Sequence, residues 1–231
     1  MGSAYHSAVI FDVDGPLLDL TPPEEDAFFI PFRDLHGLEN LSRDWDSYAV
    51  RNDVEIVREI LGNHLGRPPS EPEMQDLARH YFDVLTDMLD RGEANVSPIA
   101  GAGQLLERLA RIDGLALGTA TANLREAARI RLERAGMWSH VSAYPGAAEN
   151  GGPKRDVLAD VIAEIGLPRE RIVFLGDNLN DLDAGLSCGV HFIGFHVAEE
   201  RRQRLADAGA TTTAGDHDTS LALIREFLEL D

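Results

Sequence analysis

The stretch Ala8-Val9-Ile10-Phe11-Asp12-Val13-Asp14-Gly15 decides the fold. Its short apolar run stops at an acid, which reads as a buried strand with an aspartate at its carboxyl end. A second run of the same kind, Ile172-Val173-Phe174-Leu175-Gly176, stops at Asp177. In an open parallel sheet, ligands bind beyond the carboxyl ends of the strands, so both acids fall where chemistry is done.

Working outward, the chain after Gly15 changes character. From Pro16 to about Ser97 the segments 24–37, 46–62 and 71–92 carry apolar residues at helical spacing, with almost nothing resembling a strand. Alternation returns at Gly101. A helix over 103–112 precedes a strand ending at Thr121, and Asn123 is expected to cap a helix over 124–135. A short strand near 140–144 leads into the Gly-rich loop 146–153, with Pro153 at the start of a helix over 154–165. Strand 172–176, helix 181–188, strand 190–195 and helix 219–229 complete the pattern. Strands alternating with helices imply right-handed βαβ units and a parallel sheet covered on both faces, an α/β fold. The expected organisation is an α/β core of residues 1–15 and 98–231 with an inserted all-helical cap domain, residues 16–97, acting as a lid.

Composition narrows the function. The 231 residues are 44% hydrophobic and 26% charged, ordinary globular material with ample core. A formal charge of −19 argues against nucleic acid and anionic membranes as partners, because binding them needs clustered cations. No apolar run approaches ~18–20 residues, the span of a membrane helix. The first seven residues show no cationic leader followed by an apolar region, and the lone Cys188 rules out an internal disulfide, so a cytoplasmic location is expected. Of 21 cationic side chains a single one, Lys154, is lysine.

Four places gather chemistry: Asp12-Val13-Asp14-Gly15, Thr121-Ala122-Asn123, Lys154, and Gly176-Asp177 through Asp181. Together they offer clustered carboxylates, a hydroxyl, one cation and amides at a helix start. Close carboxylates repel unless a hard cation sits among them, and Mg2+, with its preference for oxygen, fits. Such an ion beside a lysine and helix N-terminal amides is a receptor for a phosphoryl group.

Asp12-x-Asp14-Gly15, Thr121, Lys154 and Gly176-Asp177-x-x-x-Asp181, in that order, make the chain resemble the haloacid dehalogenase (HAD) superfamily over nearly its whole length. The resemblance is to the phosphoglycolate-phosphatase-like subgroup, whose alpha-helical cap lies between the first and second motifs. It implies a Rossmann-like core and a Mg2+-dependent phosphatase acting on a small phosphomonoester through an aspartyl-phosphate. It casts Asp12 as nucleophile and Asp14 as general acid and then base. Mg2+ would be held by the Asp12 side chain, the Asp14 main-chain carbonyl and Asp177, with Asp181 acting on metal waters or on Lys154. Gly15, Thr121, Ala122, Asn123 and Lys154 would bind the phosphoryl group, Lys154 also offsetting charge in transfer. The expected partner is a small phosphorylated metabolite, with a homodimer left open.

Rival assignments follow the same residues. Thr119 lies two positions before Thr121 on the same side of a strand, and Arg155 stands beside Lys154 as a forked cation where a compact one is wanted. Asp19 and Asp183 read as solvated or capping residues, and Cys188 as a small core residue. Pro16 replaces the family's usual threonine, which concerns movement of the cap more than the chemistry. Asp14 argues against dehalogenation, and a cap without lysine removes the Schiff-base chemistry of phosphonatases. A sugar-phosphate mutase shares all four motifs, and a non-turnover phospho-acceptor module is the reading from another class. Substrate contacts in the cap are sought among Arg33, His36, Arg43, Arg51, Arg58, His64 and Arg67, with Asp46-x-Tyr48 and Arg51-Asn52-Asp53 as the specificity loop.

Overall fold

The computed structural model describes residues 5–230; residues 1–4, on which part of the leader reading rests, lie outside the described residues. The chain opens on β1 (Ser7–Phe11), then a short β2 (Leu18–Asp19), helices α1 (Pro22–His36), α2 (Asp53–Leu65) and α3 (Glu71–Arg91), and a short β3 (Ser97–Pro98). Next come α4 (Ala102–Leu109), β4 (Leu115–Ala120), α5 (Arg125–Arg134), α6 (Trp138–Val141) and β5 (Tyr144–Gly146). The remainder is α7 (Lys154–Ile165), β6 (Ile172–Gly176), α8 (Leu179–Cys188), β7 (His191–Phe195), α9 (Glu199–Asp207), β8 (Thr213–Ala214) and α10 (His217–Leu228). No helix among the described residues is long and apolar enough to cross a membrane.

Six strands form one parallel sheet in the order β5-β4-β1-β6-β7-β8. β1 lies between β4 and β6, with Val9 opposite Leu117 on one side and Val173 on the other. The strand order runs away from β1 in both directions, so its carboxyl end is the crevice where such sheets bind ligands. Alternation along β1 sorts its side chains between two layers. Val9 and Phe11 pack with Leu105, Leu106 and Leu109 of α4 and with Leu221 and Ile224 of α10. Ala8 and Ile10 face the other layer, against Val157, Leu158 and Val161 of α7 and Leu182 of α8. Burial on both faces is why the strand reads as a continuous apolar run.

Helices α1–α3 gather around a third apolar cluster that includes Phe28, Phe32, Ile56, Leu61, Leu77, Tyr81 and Leu85. Phe28 meets Tyr81 edge-on at 5.4 Å between ring centroids. Leu124, Ala127 and Ile130 join the same cluster, so these helices rest on α5 and the turn before it.

Several local expectations change. The segment 16–97 carries strand after all: β2 and β3 pair antiparallel, Leu18 with Pro98 and Asp19 with Ser97, where the chain leaves for the helices and returns. Two-residue strands are too short to show a period. Segment 46–62 is not one helix; a single 3-10 turn at Trp45–Ser47 is followed by α2, which starts where the Asn52 side chain accepts from the Glu55 amide at 2.8 Å. Near 140–144 the chain first forms α6, because Met137 and Val141, four apart, are both buried in the same cluster. α9 and β8 went unread: α9 buries only Leu205, and β8 has two residues.

Candidate active site

Asp12 follows β1 and stays in its ladder, its amide donating to the Leu175 carbonyl at 2.8 Å. Its side chain is buried, Oδ1 accepting from the Val13 amide at 2.7 Å and Oδ2 lying 2.6 Å from Lys154 Nζ. Lys154 is the first residue of α7, set there by Pro153 at the N-cap. Its ammonium also reaches Asp181 Oδ1 at 2.5 Å. Asp181, fully buried in the first turn of α8, turns its other oxygen to the amides of Asp177 and Asn178 at 3.0 and 3.1 Å. That capping arrangement fixes the loop carrying Asp177.

Two glycines make this approach possible. A Cβ on Gly15, whose φ is +98°, would lie 2.3 Å from Asp177 Cγ. One on Gly176 would lie 2.3 Å from Asp181 Cβ. The glycines of the first and last motifs are therefore the space into which the acids fold.

Oxygens of Asp12, Asp177 and Asp181 lie within 4.8 Å of one another, with the single Lys154 ammonium between Asp12 and Asp181. Burial raises the Asp12 carboxyl well above its ordinary range; Lys154 opposes the rise, while Asp181, Asp177 and Asp14 add to it. Burial, reinforced by Asp181, pushes Asp177 up to about 7. For Lys154, burial works to lower the pKa, yet Asp12 and Asp181 outweigh it and hold the ammonium charged. Three carboxylates share one compensating cation, and every donor is a hard oxygen. This set fits a divalent ion such as Mg2+, whose charge would relieve the repulsion.

The Asp14 carboxylate stands apart from that cluster. Its Oδ1 lies 2.7 Å from Nη2 of Arg131, whose Nε is 2.8 Å from Oε1 of the buried Glu24. Arg131 is 2% exposed and was missed from sequence, where it is one of several arginines along α5. The signal was its spacing, four after Ala127 and three after Ala128, both on the buried face.

Thr121 is buried just past β4, its Oγ1 accepting from the Asn123 amide at 3.2 Å and lying 3.1 Å from Asn123 Oδ1. Thr119 instead spends its hydroxyl on the Gly146 carbonyl at 3.3 Å and does not line the cavity. Asn123 is not the cap of α5. The N-cap is Leu124, whose amide donates to Asp53 Oδ2 at 2.8 Å, while the Arg125 amide donates to Glu149 Oε1 at 2.5 Å. A side chain from α2 thus caps a helix that follows the sheet. Asp53 is buried, and burial, opposed by the Leu124 amide, pushes its carboxyl up to about 7.

These groups line one cavity of about 230 Å³. Asp12, Asp14, Gly15, Thr121, Ala122, Asn123, Lys154 and Asp177 border it. Asp181 lies behind, fully buried. The opposite wall is Phe28, Trp45, Asn52, Asp53, Ile56 and Tyr81. Of the seven cap cations considered from sequence, Arg51 alone lines the cavity, paired with Asp46 at 3.1 Å. Arg33, Arg43 and Arg67 pair with Asp34, Glu25 and Glu73, and Arg58 with Glu55. Tyr48 donates to the Ser42 carbonyl at 2.6 Å and does not line the cavity. Arg155 points away, 3.6 Å from the exposed Asp183, and Cys188 is buried in the core.

A family model described as haloacid dehalogenase-like hydrolase matches residues 6–189. The chain is 29% identical over 189 residues to the N-acetylmuramic acid 6-phosphate phosphatase of Pseudomonas aeruginosa, covering 79% of this chain and 78% of that protein. It is 28% identical over 228 residues to the tyrosine-protein kinase PtkA of Mycobacterium tuberculosis, covering 95% of this chain and 72% of that one. Among solved structures, CbbY of Rhodobacter sphaeroides in complex with phosphate has the same fold, with a TM-score of 0.70 at 21% identity over 92% of this chain and 95% of that one.

Proposed function

Because the chain belongs to the haloacid dehalogenase-like hydrolase family, we propose that it is a Mg2+-dependent phosphatase of a small phosphomonoester, working through an aspartyl-phosphate on Asp12. The observation that carries this is the buried Asp12 carboxylate, held 2.6 Å from Lys154 at the strand-order reversal and beside two further acids. The phosphatase relative adds support.

In this reading Asp12 attacks phosphorus as the ester P–O bond breaks, and Asp14 gives its proton to the leaving oxygen. Asp14 then takes a proton from water, whose oxygen attacks phosphorus, releasing inorganic phosphate and restoring Asp12. Lys154 offsets charge on Asp12 and on the transferring group, and Thr121 with the amides after it binds a phosphoryl oxygen. The Asp12 and Asp177 carboxylates and the Asp14 main-chain carbonyl would hold the metal, with Asp181 behind them fixing Lys154 and the Asp177 loop. When bound, Mg2+ supplies positive charge that neutralises phosphoryl oxygens.

The test is a screen of small phosphomonoesters with and without Mg2+, with Asp12→Asn as the blank. Phosphate release is expected with Mg2+, lost with EDTA, and reduced roughly 10³-fold or more in Asp12→Asn. Activity surviving in Asp12→Asn, or undiminished in EDTA, would refute the mechanism. Formation of a positional isomer of a sugar phosphate without phosphate release would make the chain a mutase instead. A stable phosphoprotein without turnover would make it a signalling module.

A further inference from the structure

Arg131 is a buried cation that the chemistry above does not use. Lys154 already serves Asp12 and Asp181. Arg131 reaches inward from the second turn of α5, past Ala127 and Ala128, to four residues, one of them Asn123, whose Oδ1 lies 3.5 Å from its Nη1. Nη2 lies 2.7 Å from Asp14 Oδ1 and 3.4 Å from the Asp19 carbonyl. Nε lies 2.8 Å from Oε1 of Glu24, which is 1% exposed. The other Glu24 oxygen takes the Thr21 amide at 3.0 Å, closing the capping box that starts α1.

The two carboxylates are met by two different nitrogens of one planar group. A single ammonium holds two carboxylates only where both converge on one point, as Asp12 and Asp181 do on Lys154; Asp14 and Glu24 instead meet separate nitrogens of a fork. Asp14 has a side chain 30% exposed at the cavity edge, so without this partner it would have open rotamers.

We propose that Arg131 is a positioning residue: its guanidinium holds the Asp14 carboxyl in place within the cavity and, through Glu24, ties that orientation to the start of α1. This rests on Asp14 acting as the proton donor proposed above. A carboxyl in the wrong rotamer still sits in the site, but it no longer meets the leaving oxygen. The cost then depends on how much help that oxygen needs. A basic leaving group requires the proton in the transition state; a stabilised phenolate leaves without it.

The experiment compares release of phenol from phenyl phosphate with release of 2,4-dinitrophenol from its phosphate, in a single turnover with Mg2+. Removing Arg131 alone would orphan a buried Glu24, so the variant is Arg131→Met/Glu24→Gln, which neutralises both, alongside Arg131→Lys. The double variant is expected to lose about 10²-fold on phenyl phosphate and no more than a few-fold on the dinitrophenyl ester. Arg131→Lys should fall between it and the parent on phenyl phosphate. Equal losses on both esters in a folded variant, or no loss on either, would overturn the proposal and leave Arg131 a purely structural ion pair. Should the double variant fail to give the parent circular dichroism, the ratio of the two esters in Arg131→Lys decides by the same criterion. Asp12→Asn is run in parallel. Release of either phenol by it at a rate near the parent's, above the uncatalysed background, refutes the aspartyl-phosphate reading, an outcome separate from the ester comparison.

Discussion

Lys154 sits between Asp12 and Asp181 at 2.6 and 2.5 Å, nearly fully buried, at the one position where an arginine-rich chain has a lysine. A guanidinium is wider and planar, and the space between two carboxylates that already crowd Asp177 admits a point charge more readily than a fork. Lys154→Arg is expected to fold and to lose about 10²-fold in kcat, measured by phosphate release; parent-like kcat would show that the site does not need a compact cation. Gly15 is constrained from two sides, by φ +98° and by the Asp177 carboxyl 2.3 Å from where its Cβ would be. Gly15→Ala should therefore lose more than ~1 kcal/mol of stability in denaturant unfolding and weaken Mg2+ binding by calorimetry. An unchanged unfolding midpoint together with unchanged metal affinity would contradict this account of the loop. At this scale the gathering of the candidate residues was legible: Asp12, Asp14, Thr121, Lys154 and Asp177, far apart in sequence, line one cavity. The spacing of Arg131 from Ala127 and Ala128 marks it as buried, but not what it holds, because its partners Asp14 and Glu24 lie more than a hundred residues away.

At the scale of elements, the N-terminus of α2 grips two of the four loops that present the site. The Asp53 amide donates to the Ala122 carbonyl at 3.0 Å, and its carboxylate takes the Leu124 amide. Asn52 Nδ2 donates to the Gly152 carbonyl at 2.6 Å, and Glu55 accepts the Gly152 amide at 3.1 Å. This grip has a pH signature. Asp53 is raised to about 7 in the folded chain, whereas an unfolded aspartate ionises near ~3.9. Below both values the carboxyl is neutral in both states and costs nothing. As pH rises between them, the unfolded state ionises first and the folded state loses stability. Asp53→Asn keeps an acceptor for the Leu124 amide. In EDTA it should stay within about 1 kcal/mol of the parent at pH 4 and exceed it by on the order of 4 kcal/mol at pH 8. A difference that is equal at both pH values, or larger at pH 4, would contradict the assignment. Element boundaries were legible where an apolar period met a cap, as at α3 and α7. They were not legible where the cap came from elsewhere. Asn123 looked like the start of α5, but the capping carboxylates are Asp53 and Glu149.

Over the whole molecule, the parallel sheet could be read from two strands ending in acids, because burial on both faces leaves an unbroken apolar run. The pairing of β2 with β3 could not, because it depends on where two distant points of the chain meet. The large acidic excess divides the same way: a few carboxylates converge on one ammonium, while many others pair with surface arginines such as Arg33, Arg67 and Arg91. The converging acids make a stability prediction for the protein as a whole. Mg2+ should raise the thermal midpoint in the parent and do so less in Asp177→Asn, because a ligand that binds only the folded state stabilises it by mass action. Equal shifts in both would remove Asp177 from the metal set. The central claim is that the phosphoryl group passes through Asp12. The direct measurement is to quench the enzyme during turnover with Mg2+ and a substrate identified in the screen, reduce it with borohydride, and map the peptides by mass spectrometry. The account predicts homoserine at position 12, the mark of an aspartyl-phosphate, and none in the enzyme quenched without substrate. Phosphate release with aspartate unmodified at position 12 throughout, or with the mark at another residue, would contradict it.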